Sequence, residues 1–138
     1  MNEPAGIAPF HRSPSESSPE IHYDAETNVL SFSGACYPAN ALEVFEPVLE
    51  WLEKHKEMLR TEPFKLVSAL HYINTSSTKQ LFMLVDKLKG YEKSGILPRV
   101  DLVWVYERDD EDNLQIGKDL GSIFEVNISL VCLNKGSE

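Results

Sequence analysis

FKLVSALHYINTSS, residues 64–77, is the segment that decides the fold. Its first ten residues are mostly apolar, which is typical of a strand buried in the centre of a sheet. Polar residues 74–77 end that strand, and a helix is predicted to begin at about Ser77. The helix carries one apolar stripe, formed by Leu81, Leu84, Val85, Leu88 and Tyr91. A buried strand followed directly by an amphipathic helix is the repeating unit of an α/β sheet.

The residues before this unit predict a hairpin and a helix. Residues 21–23 and 29–33 alternate apolar with polar side chains around a turn-like stretch, as the strands of a β-hairpin do. Asn40 fits a helix N-cap. Pro47 is expected to kink the helix or to distort its first turn, because proline has no N–H to donate. The helix is predicted to run to about His55, with an apolar stripe of Leu42, Phe45, Leu49 and Leu52.

The residues after the unit predict two more strands and one more helix. Residues 100–106 and 126–133 are apolar enough to be strands, and the weaker helix between them is expected to be interrupted by Gly117 and Gly121. The predicted order, β-β-α-β-α-β-α-β, is that of a single α/β domain with helices packed on a mixed β-sheet. This domain is predicted to span residues 20–138. Residues 1–19 are rich in Pro, Ser and Glu and predict a flexible N-terminal arm.

Charge and composition exclude several classes of function. The formal net charge is −9 and no run of Lys or Arg occurs, which argues against binding nucleic acid or an anionic membrane surface. Neither a signal peptide nor a membrane span is found, so the predicted location is the cytoplasm. The two cysteines, Cys36 and Cys132, are too few for a disulfide framework. Cys132 lies in an apolar run and is expected to be a buried thiol.

Three strand-to-helix loops are predicted to meet at one edge of the sheet, because parallel strands end on the same side. They are residues 34–40, 74–77 and 107–112, so Tyr37 and Thr75 should share a surface with the acidic run. Thr75 lacks an activating base, since His71 is expected to point away from the loop. A hydroxyl without a base is a poor nucleophile but a suitable kinase substrate.

Helix capping is the alternative explanation for the polar residues 75–77. Ser77 and Gln80 have the spacing of a capping box, in which two side chains satisfy free N–H groups at a helix start. Composition alone favours this alternative over a phosphorylation site.

The acidic run Asp109, Asp110, Glu111 and Asp112 could in principle bind Mg²⁺ or Ca²⁺. It lacks the spacing of a calcium-binding EF-hand loop. A solvated helix N-terminus is the favoured interpretation, because carboxylates there gain about 0.3–1 kcal/mol from the helix dipole. Core packing explains Trp51 and Trp104, and no cofactor or metal is predicted.

Four segments resemble the SiaC family of bacterial regulatory phosphoproteins. They are residues 18–21, 34–40, 72–79 and 104–112, the last followed by Gly117, and the likeness extends over residues 18–133. The Asn-Thr-Ser-Ser segment at 74–77 is its most specific element. Membership implies a fold similar to the STAS domains of anti-sigma factor antagonists.

The resemblance also implies a function. In the family, the Thr of this segment is phosphorylated by a partner Ser/Thr kinase and dephosphorylated by a PP2C-type phosphatase. In the founding system, the unphosphorylated form activates a diguanylate cyclase, raises c-di-GMP and promotes biofilm formation. By position, Thr75 is the expected phosphoacceptor of a non-enzymatic switch. The expected partner-binding residues are Tyr37, Pro38, Asn40, Asn74, Ser76, Ser77 and Lys79.

The sequence departs from the family at Ala39, where Glu is usual, and at Pro47, which lies in a helix normally free of proline. Two alternative functions stay open at this stage. One is an anti-sigma factor antagonist that acts by partner switching. The other is a small metal-dependent hydrolase that uses the acidic run 109–112, although the sequence offers it no nucleophile pair and no His cluster.

Overall fold

The computed structural model describes residues 9–59 and 63–133. Ten elements follow one another along the chain: β1 (His11–Arg12), β2 (Glu20–Asp24), β3 (Val29–Cys36), α1 (Ala41–His55), a 3₁₀ turn (Lys56–Met58), β4 (Phe64–Ile73), α2 (Thr75–Lys93), β5 (Val100–Glu107), α3 (Glu111–Phe124) and β6 (Asn127–Leu133).

The six strands form one sheet in the order β1-β2-β3-β4-β5-β6. β1, β2 and β3 pair antiparallel, whereas β3, β4, β5 and β6 pair parallel. The predicted mixed α/β sheet with parallel later strands is therefore confirmed, and β4 is central as expected.

One face of the sheet is buried under the helices. Along β4, Phe64, Leu66 and Leu70 are buried, whereas Lys65 and His71 on the opposite face are exposed. Crossovers between adjacent parallel strands are right-handed, which places successive helices on the same face. α1 contacts α2, and α2 contacts α3. The core thus lies between a single helical layer and one face of the sheet.

The ends of α1 and α2 are joined by a polar contact. The Tyr91 hydroxyl donates to Glu53 Oε1 at 2.7 Å, and Lys56 Nζ donates to Glu53 Oε2 at the same distance. The hydrogen bond from Lys56 has the larger effect on Glu53 and that from Tyr91 the smaller one, and they lower the pKa of Glu53 to about 2. Desolvation and the hydrogen bond to Glu53 raise the pKa of Tyr91.

The prediction of a flexible arm does not hold for residues 9–19. β1 pairs with β2, and Tyr37 N–H donates to Ser17 C=O at 2.8 Å. The Phe10 ring lies 5.8 Å from the Trp51 ring. Backbone hydrogen bonds and one aromatic contact therefore fix a segment that has few apolar residues. Residues 1–8 of the predicted arm lie outside the described residues.

The N-cap predicted for α1 is confirmed, because the Asn40 side chain accepts from Leu42 N–H at 3.2 Å. The first turn is tight, with Glu43 N–H donating to Asn40 C=O three residues back. α1 continues through Pro47, and Arg12 Nη1 donates at 3.4 Å to Glu43 C=O, the carbonyl that proline leaves without its usual helical donor.

The apolar stripe of α1 differs from the prediction by part of a turn. Leu42 is half exposed, whereas Val44, Val48 and Trp51 are buried beside the predicted Phe45 and Leu52. The buried residues recur at spacings of three and four, and the face that they form is centred near Val48 rather than near Leu49.

α3 is continuous, contrary to the predicted interruption at Gly117 and Gly121. A Cβ on Gly117 would lie 2.5 Å from Trp104 Cδ1, and one on Gly121 would lie 2.6 Å from Ile128 Cγ2. Both distances are far below van der Waals contact. The glycines therefore do not break the helix but allow it to approach β5 and β6 closely.

β6 is an edge strand, and this placement contradicts the expected burial of Cys132, whose side chain is exposed. Leu130, Val131 and Leu133 are also between a third and a half exposed. The apolar run predicted a buried thiol, but only β5 pairs with this strand in the described part of the chain.

Replacing Gly117 by Ala is expected to destabilise the protein by about 1–3 kcal/mol, because the new methyl group would overlap the Trp104 ring. Gly90→Ala in α2 is the matched control, since a Cβ there meets nothing within 4 Å. The control should be neutral or stabilising by about 0.5–1 kcal/mol, the usual helix preference for Ala over Gly. Urea unfolding measures both, and equal stability of the two variants would contradict the close-approach explanation.

Candidate functional site

The loops after β3 and β4 are tied together at the carboxyl edge of the sheet. Asn74 N–H donates to Cys36 C=O at 2.9 Å, and Asn74 Nδ2 donates to Pro38 C=O at 3.4 Å. The loop after β5 ends on the same side, because β4 and β5 are parallel. Tyr37 and Thr75 therefore share an edge with the acidic run, as predicted.

Asn74 is the N-cap of α2. Its Oδ1 accepts from Ser77 N–H at 2.9 Å, and its backbone C=O accepts from both the N–H and the hydroxyl of Thr78. The helix begins at Thr75, two residues before the predicted start. The predicted capping by residues 75–77 is wrong, because the cap lies one residue before them. Thr75 is thereby left free of a capping role.

The Thr75 side chain is exposed in the first turn of α2 and makes no hydrogen bond in the described part of the chain. It lines a groove that we call the Thr75 groove, which is formed by Ile73, Thr75, Thr78, Lys79, Phe82 and Ile116. Neither a carboxylate nor an imidazole belongs to this lining. The groove lining therefore offers the hydroxyl neither of the two side chains that most often act as its general base.

An exposed pair of aromatic rings lies at the carboxyl ends of β3 and β4. Tyr37 is 41% exposed and Tyr72 is 54% exposed, and their rings meet edge to face at 5.8 Å. A pocket adjoins them, which we call the aromatic pocket; its lining comes from the N-terminal segment, the first loop and β4: Pro14, Ser15, Glu16, Ser18, Gly34, Ala35, Tyr37, His71 and Tyr72. Half-exposed tyrosines beside a pocket are typical of protein–protein contacts.

The structure divides the residues that were predicted to bind partners. Tyr37, Asn40, Ser76 and Lys79 are exposed with Thr75, and Asn74 is half-buried. Pro38 is buried, and Ser77 is fully buried, so their side chains are not presented to a partner. The role of this set in binding stays a prediction.

Sequence reasoning missed Tyr72, His71 and the pocket wall at residues 14–18. Tyr72 was assigned to a buried strand, because it continues an apolar run. His71 could have shown that the end of the strand is exposed, because it is the first residue in that strand that is both polar and aromatic.

The thiol of Cys36 lies beneath the site and is buried. Burial raises its pKa, and the nearby Ser77 hydroxyl and Arg12 guanidinium oppose this with smaller effects. A thiol with a raised pKa stays protonated and is a weak nucleophile. Cys36 packs in the hydrophobic core.

The acidic run begins α3. Asp110 Oδ1 accepts from Asn113 N–H at 3.0 Å, which makes Asp110 the N-cap, while Glu111 and Asp112 occupy the first turn. This confirms the interpretation as a helix N-terminus. Across residues 9–59 and 63–133, no three His, Cys, Asp or Glu side chains are grouped so that they could hold a metal ion. None of the helices in the same residues has the length and apolar content needed to cross a bilayer.

Comparisons with known proteins agree on one family. A family model described as SiaC family regulatory phosphoprotein matches residues 12–133. A protein of Pseudomonas aeruginosa strain UCBPP-PA14, described as uncharacterized, is 30% identical over 113 residues, which are 82% of this chain and 87% of that protein.

Two solved structures extend the likeness to the fold. SiaC of P. aeruginosa is 26% identical, with a TM-score of 0.80 over 92% of this chain and 100% of its own. SiaC in complex with the diguanylate cyclase SiaD, of which it is the activator, is 27% identical, with a TM-score of 0.79 over 90% of this chain and 99% of its own.

The fold and the site together define a class of protein: a regulatory α/β domain whose carboxyl edge presents a threonine at a helix start. Within that class, the chain belongs to the SiaC family of regulatory phosphoproteins. The resemblance found in the sequence is therefore confirmed.

Asn74→Ala is expected to lower the free energy of unfolding by about 1 kcal/mol, because the first turn of α2 loses its side-chain cap. Ser76→Ala is the matched control, because Ser76 is exposed and lies in the first turn of the same helix. Ser76→Ala should change the free energy of unfolding by no more than about 0.5 kcal/mol. Thermal unfolding compares the two, and an equal midpoint would contradict the assignment of Asn74 as the cap.

Proposed function

We propose that this protein is a non-enzymatic switch, acting in the cytoplasm, that is phosphorylated on Thr75 by a partner Ser/Thr kinase. A PP2C-type phosphatase reverses the modification. The unphosphorylated form binds an effector, a diguanylate cyclase, and so controls c-di-GMP and biofilm formation. One observation carries the proposal: Thr75 is an exposed hydroxyl at the start of α2, without a base of its own and without a structural role.

Modification at this position suits a protein that must stay folded in both states. Transfer of the γ-phosphoryl group of ATP forms an Oγ1–P bond, breaks the β–γ phosphoanhydride bond and releases ADP, while a base of the kinase takes the hydroxyl proton. Asn74 accepts the N–H of Ser77, and the first turn of a helix has further N–H groups that the helix itself does not bond. A helix N-terminus tolerates this charge.

The effect of the phosphate is therefore expected in binding rather than in stability. Phosphate adds about −1.5 to −2 charge. A partner that covers the neutral Thr75 hydroxyl would have to bury that charge, and removing a phosphate dianion from water costs several kcal/mol unless the partner supplies further cations. The acidic start of α3 on the same edge adds repulsion. Phosphorylation should consequently release the effector.

The cyclase is preferred over an anti-sigma factor as the target, because a related SiaC is the activator of the diguanylate cyclase SiaD. A hydrolase that uses residues 109–112 has no support in the geometry, since Asp110 is engaged as a helix cap.

Incubation with a cognate Ser/Thr kinase and ATP is expected to add one phosphoryl group, located on the peptide that contains Thr75. Intact-mass and peptide mass spectrometry detect it. Thr75→Ala should abolish the modification, whereas Ser76→Ala, which removes the neighbouring exposed hydroxyl, should preserve it. Modification of the Thr75→Ala protein, or none of the wild type by an active kinase, would refute Thr75 as the phosphoacceptor.

Thr75→Glu is expected to weaken binding to the cyclase by at least about tenfold, which corresponds to 1.4 kcal/mol. Ser122→Glu is the matched control, because it adds the same charge to an exposed position near the other end of α3. Titration calorimetry with the cyclase measures both. Equal affinity of Thr75→Glu and wild type would argue against release by charge.

A further inference from the structure

Of the four lysines of α2, Lys79 and Lys93 make no ion pair among the residues that the structure describes, and Lys79 is the one that lies near Thr75. Lys87 pairs with Glu53 and Lys89 pairs with Glu92. Lys79 is exposed and has no ion-pair or hydrogen-bond partner among the residues that the structure describes. It lies four residues after Thr75, and both line the Thr75 groove.

We propose that Lys79 is the positioning residue for the phosphate of phosphorylated Thr75 and that it holds this phosphate across the mouth of the Thr75 groove. The proposal rests on the proposed function in one respect, the choice of Thr75 as phosphoacceptor. Residues four apart on a helix have Cβ atoms about 5–6 Å apart, within reach of a lysine ammonium.

The order of the two residues favours the pair. An anion placed four residues before a lysine, nearer the helix N-terminus, is the better of the two orientations. The anion then lies in the first turn, where it interacts favourably with the helix dipole. Lys79 gives up no existing partner to reach the phosphate. On α3, Asp112 lies four residues before Ile116 and Asp119 three residues after it, and neither forms an ion pair with Lys79.

Pairing changes the groove as well as the charge. Ile73, Phe82 and Ile116 give the groove an apolar floor, and Lys79 is the single charged side chain in its lining. After phosphorylation, the mouth of the Thr75 groove holds the ion pair of Lys79 and the phosphate, whose net charge is negative, instead of the unpaired Lys79 cation. The switch therefore removes an available lysine and covers apolar surface in the same step.

The test uses full-length protein in which phosphothreonine is installed at position 75 during translation, so no kinase is needed. Phosphorus-31 NMR follows the titration of the phosphate, whose second pKa is ordinarily about 6. In the wild type, Lys79 should lower this pKa, because a neighbouring cation stabilises the dianion. The proton affinity of the phosphate should rise by about twofold or more in Lys79→Met.

Two further variants make the result specific. Lys93→Met removes the same charge from an exposed position on the same helix, about 21 Å further along, and should leave the titration at the wild-type pKa. Lys79→Arg should restore the lowered pKa. A titration of Lys79→Met identical to that of wild type would overturn the proposal.

The outcomes separate this inference from the proposed function. Failure of kinases to modify Thr75 would refute the proposed function, while the titration would still report whether Lys79 pairs with a phosphate at that position. If Lys93→Met raised the pKa of the phosphate as much as Lys79→Met does, the rise would reflect the loss of one positive charge anywhere on the helix. That result would also overturn the role of Lys79.

Discussion

Asn74 joins three segments of the chain with its backbone and its side chain. Its N–H donates to Cys36 at the end of β3, its amide donates to Pro38 in the following loop, and its two carbonyl groups receive the donors of Ser77 and Thr78 at the start of α2. The position of Thr75 follows from these contacts. Because the Asn74 side chain caps the helix, the Thr75 hydroxyl is not needed as a cap and faces solvent.

The other side of the Thr75 groove depends on how closely α3 approaches the sheet. The Trp104 indole N–H donates to Asn113 C=O at 2.8 Å, and Asn113 Nδ2 donates to Leu70 C=O at 3.2 Å. Gly117 lies over the same indole ring and leaves room for it. These contacts hold α3 beside α2, so that Ile116 completes the groove.

The pattern of apolar residues correctly predicted the strands and helices that bury one face in the core. It gave wrong predictions where backbone hydrogen bonds or neighbouring elements decide whether a residue is buried. Strand β4 and the stripe of α2 were predictable, because each buries its residues against the core. Residues 9–19 are held mainly by backbone hydrogen bonds, which leave no compositional trace. The glycines of α3 and the exposure of Cys132 depend on which elements become neighbours. The motif predicted a threonine at the start of the helix. It did not show which residue caps the helix, since Asn74 and Ser77 are both of the types found at N-caps.

The N-terminal segment is the first part of the described chain to leave the ribosome, but it packs on a helix that is synthesised later. β1 can pair only with β2, and the Phe10 ring packs on Trp51, some forty residues later. A nascent chain therefore carries this segment without a docking surface until α1 has been synthesised and has packed. The wall that the segment gives to the aromatic pocket therefore depends on α1 as well as on the strands that it borders.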